Sequence, residues 1–121
     1  MLLKDFYKVN TLETVENITT AAITINKNHE VFQGHFPGNP VTPGVCMMQI
    51  IKELTEEIVS EKLFMQSSSN IKFMAIINPE KTPDLILTLD ISKTEVGYKV
   101  KNVSKFDETV ALKLTTNYKV L

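Results

Sequence analysis

Residues Gly34–Glu53 read GHFPGNPVTPGVCMMQIIKE, and the fold turns on how this stretch is read. It holds three of the five prolines (Pro37, Pro40, Pro43), three of the four glycines (Gly34, Gly38, Gly44) and His35. Proline fixes φ and pushes each preceding residue toward extended geometry, so the loop is stiff for its length. The loop runs without a spacer into a markedly apolar segment. A histidine in such a frame is presented to something.

From Gly44 the apolar residues take helical spacing. Val45, Met48 and Ile51, with Met47, Ile50, Leu54 and Ile58, give a broad apolar surface, and Gln49, Lys52, Glu53 and Glu56 share a narrower polar face. The helix is expected to stop near Ser60–Lys62. Before the loop, Glu16–Ile25 is rich in threonine and isoleucine and reads as a strand. Met1–Asn10 is compatible with a short helix or an extended arm. Asn26–Glu30 reads as a polar turn containing an exposed His29. After the helix, Gln66–Asn70 reads as a serine loop and Asn70–Ile77 as a strand. Leu85, Leu87, Leu89 and Ile91 alternate, then Val96, Tyr98 and Val100, then Val110 through Tyr118. Turns are expected at Asn78–Asp84, Lys93–Gly97 and Ser104–Glu108. One nearly all-round apolar helix beside a run of strands predicts an α+β domain, its antiparallel sheet wrapped around the helix. The whole chain, residues 1–121, is expected to be one domain.

Composition narrows the function classes. The formal charge is −1, arginine is absent and the lysines are scattered from Lys4 to Lys119, which argues against nucleic acid as the main partner. One cysteine, Cys46, excludes an intrachain disulfide and makes a reducing, cytoplasmic setting the expectation. Cys46 itself reads as a small apolar residue entering the core. No apolar run approaches the roughly 20 residues of a membrane span. Two histidines and one cysteine offer no metal-ligand spacing, so no metal is expected.

The run His35-Phe36-Pro37-Gly38-x-Pro40-Val41-x-Pro43-Gly44-Val45, with its lead-in Val31-Phe32-Gln33-Gly34, resembles the signature of the 3-hydroxyacyl-acyl carrier protein dehydratases. Lys72-Phe73 is similar to the family's strand after the central helix. The resemblance implies the hot-dog fold, with about five or six strands. It implies loss of water from a 3-hydroxyacyl thioester to give the trans-2-enoyl thioester. The substrate would arrive on the phosphopantetheine of acyl carrier protein, with no further cofactor. It also implies at least a homodimer, with two sheets joined edge to edge and the acyl site between subunits. In that scheme His35 is the base, since imidazole titrates near neutral pH. The Gly44 amide at the helix N-terminus stabilises the thioester oxygen. Val45, Phe36, Pro43, Met48 and Phe73 are the expected substrate-binding residues.

One position departs from the pattern. Gln49 holds the place of the family's catalytic Glu or Asp, and Glu53 the place of its glutamine. An amide donates a hydrogen bond but delivers no proton. Glu53, one turn on, is the candidate for a displaced acid. The alternatives are a non-catalytic subunit, paired with a related chain that supplies the acid, and a hot-dog thioesterase.

Overall fold

The computed structural model describes residues 4–33 and 40–121. The chain order is β1 (Tyr7–Val15), β2 (Ile18–Ile25), a 3-10 turn at Glu30–Phe32, α1 (Gly44–Val59), β3 (Leu63–Phe73), β4 (Asp84–Lys93), β5 (Gly97–Phe106) and β6 (Thr109–Val120). The six strands form one antiparallel sheet in the order β1-β2-β4-β5-β6-β3. This is the expected α+β architecture, with one helix against an antiparallel sheet.

Alternation explains which strand face is inward. Ala21, Ile23 and Ile25 from β2, Leu85, Leu87 and Leu89 from β4, and Leu112, Leu114 and Tyr118 from β6 are all buried. Against them α1 lays Cys46, Met47, Ile50, Ile51 and Leu54, none of them more than 2% exposed. Each buried aliphatic side chain contributes on the order of 1.5–3 kcal/mol over its exposed state. Val45, expected on the apolar surface of the helix, lies outside this core and is 67% exposed. At its C-terminus α1 ends on Ser60 in the left-handed region, φ 58°, with its N–H donating to the Glu56 carbonyl. The Glu56 carboxylate then accepts from the Leu63 amide at 2.9 Å, which fixes the entry into β3.

Several expectations are corrected. Gln66–Asn70 is no loop; it lies inside β3, where Ser67, Ser68 and Ser69 pair with Asn117, Thr116 and Thr115. Strand pairing overrides the poor β propensity of serine, aided by the Ser68–Thr116 hydroxyl contact at 3.1 Å. The register slips twice along this edge, and Asn70 takes φ 52°. The strand expected over Asn70–Ile77 ends at Phe73, although the Met74 amide still donates to the Ala111 carbonyl at 2.8 Å. Tyr7–Asn10 is extended and opens β1. Glu16 sits in the β1–β2 turn with φ 56°, and Val96 precedes β5. The Ser104–Glu108 connection narrows to Asp107-Glu108. His29 is no bystander: its Nδ1 accepts from the Val31 amide, Nε2 meets the Lys4 carbonyl, and its ring stands edge-on to Phe6.

Candidate functional site at the helix N-terminus

The proline before α1 has no side-chain group with which to cap its first turn. Pro43 is the N-cap, with no capping hydrogen bond, and its carbonyl accepts from the Cys46 and Met47 amides. Uncapped N–H groups at a helix start, reinforced by the helix dipole, form a donor site for developing negative charge. Over this end lies the Phe73 ring. A Cβ built on Gly44 would stand 2.7 Å from Phe73 Cζ, so glycine is what allows the ring to close on the helix.

Beside that contact opens an apolar slot of about 260 Å³, lined among others by Val41, Thr42, Pro43, Gly44, Met47 and Phe73. Sequence reasoning missed Thr42. Its hydroxyl is buried without a hydrogen-bond partner among the described residues, while its amide donates to the Ile77 carbonyl at 2.9 Å. The only hint in the sequence is a lone hydroxyl between Val41 and Pro43.

Further along the helix, Gln49 and Glu53 meet directly. Gln49 Nε2 donates to Glu53 Oε2 at 2.9 Å, and the Tyr7 hydroxyl donates to Glu53 Oε1 at 2.9 Å. Tyr7 was also missed, because a contact across 46 residues of sequence leaves no local trace. Burial is the main cause that raises the Tyr7 phenol above its ordinary pKa, followed by its hydrogen bond to Glu53 and the charges of Glu53 and Glu57.

The structure does not place the expected site residues in one cavity. Among the described residues, Gly44, Pro43 and Phe73 share the slot, whereas Glu53 opens onto a separate groove of about 500 Å³ lined with Tyr7, Glu56, Glu57 and Glu61. Met48 is half-buried against the core, and Val45 points to solvent. Phe73 is 55% exposed although its ring covers Gly44. His35 and Phe36 lie outside the described residues. Cys46 enters the core as expected, and burial pushes its thiol pKa up. Among the described residues no group of metal-ligating side chains forms, and no helix is long and apolar enough to cross a membrane.

The model of the ApeI-like family, described as ApeI dehydratase, matches residues 11–113. The chain is 33% identical over 112 residues to the 3-hydroxyacyl-acyl-carrier-protein dehydratase FabZ of Lactobacillus helveticus, covering 86% of this chain and 74% of that protein. The FabZ of Levilactobacillus brevis is 31% identical over the same shares. In fold the chain is similar to the dehydratase heterocomplex ApeI:P of Xenorhabdus doucetiae, with TM-score 0.76, 16% identity and coverage of 93% and 96%. It is also similar to a hypothetical thioesterase of Streptococcus pneumoniae solved with coenzyme A, with TM-score 0.64, 14% identity and coverage of 99% and 91%. The expected hot-dog fold therefore stands, and the chain belongs to the ApeI-like family of hot-dog dehydratases, related to FabZ.

Proposed function

We propose that the chain removes water from 3-hydroxyacyl thioesters carried by acyl carrier protein, giving trans-2-enoyl thioesters for fatty-acid or related acyl-chain synthesis in the cytoplasm. The observation that carries this reading is the uncapped start of α1 at Gly44, lying on an apolar slot beneath Phe73. A thioester oxygen placed there meets N–H donors beside an apolar lining, and such donors act most strongly once bound substrate excludes water. The acyl chain then takes the slot.

His35 removes the proton alpha to the carbonyl, and electron density moves onto the oxygen held at Gly44. As the carbon–oxygen bond at the beta position breaks, the imidazolium returns its proton to the departing hydroxide, which leaves as water. Gln49 orients that hydroxyl. With Nε2 turned to Glu53, it retains one N–H and its carbonyl oxygen for the substrate. Glu53, accepting from Tyr7 and Gln49, fixes the amide. Gly44 and Glu53 open onto different cavities within one protomer, which supports a site completed by a second chain, at least a homodimer.

The test is a spectrophotometric assay of conjugated enoyl product. The His35→Ala variant is expected to lose turnover of a 3-hydroxyacyl thioester, and undiminished turnover removes His35 from the mechanism. Release of free thiol without enoyl absorbance would move the chain to the thioesterases.

A second reading is favoured by Gln49 itself: a heteromeric or non-catalytic acyl-binding subunit whose partner supplies the acid. The ApeI:P neighbour is a heterocomplex, which lends this reading support. Native mass spectrometry of the co-purified assembly separates one kind of subunit from two.

A further inference from the structure

The lysines, scattered along the sequence, are gathered by the sheet. Lys99, Lys101 and Lys105 on β5 and Lys113 and Lys119 on β6 alternate with more buried neighbours, and Lys72 on β3, paired with Lys113, shares their outer face. The three strands carry no Asp or Glu. Lys72 stands directly opposite Lys113, and Lys113 opposite Val103, which puts Lys101 on its diagonal. Directly opposed like charges cost stability. Among the described residues none of the six forms a salt bridge; the pair that does form is Lys52–Glu56 on α1. The nearest carboxylate in register, Asp90 on β4 opposite Lys101, makes no ion pair with it. Four glutamates, Glu53, Glu56, Glu57 and Glu61, line a groove elsewhere together with Lys62. Charge is thus unevenly spread over a near-neutral chain.

At the centre of the lysine face is a depression of about 280 Å³, lined by Lys72, Lys101 and Lys113 together with Asn70 and Thr115. It lies where the register slips between Ser69 and Lys72 and Asn70 adopts φ 52°. We infer that this face docks an acidic protein partner, with one partner carboxylate seated between Lys72, Lys101 and Lys113 and others lying over Lys99 and Lys119. Carboxylates would relieve the Lys72–Lys113 repulsion and find donors in Asn70 and Thr115. Lysines present mobile point charges suited to scattered carboxylates, whereas bidentate phosphate recognition favours arginine, which the chain lacks. A bilayer would need several apolar side chains standing out among the lysines. Exposed Phe64, opposite Lys119, is one at the edge strand, whereas the depression between Lys72, Lys101 and Lys113 holds Asn70, Thr115 and half-buried Val103 over buried Leu114. The inference does not depend on the dehydration reading.

The experiment measures fluorescence anisotropy of a labelled glutamate-rich helical peptide against the full chain. Binding is expected to weaken at least about tenfold when salt rises from about 20 to about 200 mM. The Lys72→Gln/Lys101→Gln/Lys113→Gln variant should bind at least about tenfold more weakly, as expected for loss of complementary charges. A Lys8→Gln/Lys27→Gln control, altered on β1 and in the turn after β2, should match wild type. Because the triple variant relieves repulsion, its thermal midpoint should not fall, which separates lost docking from lost folding. Equal peptide binding by the triple variant and wild type overturns the inference. So does tighter, lysine-dependent binding of an oligonucleotide or of phosphatidylserine vesicles.

Discussion

Glu53 accepts from two named donors, and this decides what Gln49 can offer a substrate. With one N–H of the amide committed to the carboxylate, the Gln49 carbonyl oxygen and its second N–H are what it can still offer. Gln49→Glu would set a second carboxyl against Glu53 at hydrogen-bond distance. Two such groups do not both ionise, so one keeps a proton with a raised pKa and becomes a donor for the leaving hydroxyl. Turnover is expected to rise about tenfold or more, and an unchanged rate in the enoyl assay would show that proton supply is not limiting. Tyr7 gives a second prediction. Its phenol pKa is higher folded than unfolded, so the unfolded chain binds fewer protons above about pH 10, and stability falls as pH rises through that range. Tyr7→Phe should therefore show a shallower alkaline decline in thermal midpoint than wild type. It should also lose about 1.5 kcal/mol at neutral pH, the scale of a hydrogen bond to a charged group. At this scale the motif was legible in the sequence, and so was the closeness of Gln49 and Glu53, one helical turn apart. Tyr7 was not, since its partner lies 46 residues away.

Among the elements, α1 was the most legible, because its apolar period is long and a proline-glycine pair marks its start. The element-scale prediction follows from the Phe73 contact. In Gly44→Ala the new methyl displaces an aromatic ring tip that can rotate toward solvent, so the stability change should stay within about 1 kcal/mol, helped by alanine's helix propensity. The slot loses its cover, and dehydration should fall much more than the thermal midpoint does. A parallel loss of both would mean that Gly44 serves only the turn. β3 was the least legible element. Its serines and Asn70 mark a loop by local preference, and only the β6 ladder, with two register slips, makes them a strand.

For the whole molecule, one helix buried against one sheet leaves its centre no way to collapse after truncation. Leu54 is fully buried in that centre. Leu54→Ala should cost about 2–5 kcal/mol by chemical denaturation, and a cost below about 1 kcal/mol would mean that the helix is loosely held. The sequence by itself determined the α+β class, the helix register and the family signature. These rest on periodicity and on dense local motifs, which the chain carries wherever it folds. Tertiary structure alone decided that Tyr7 holds Glu53, that Phe73 closes on Gly44, and that scattered lysines become one face. Each of these depends on strand register and on the crossing of helix over sheet, which bring together residues far apart in sequence.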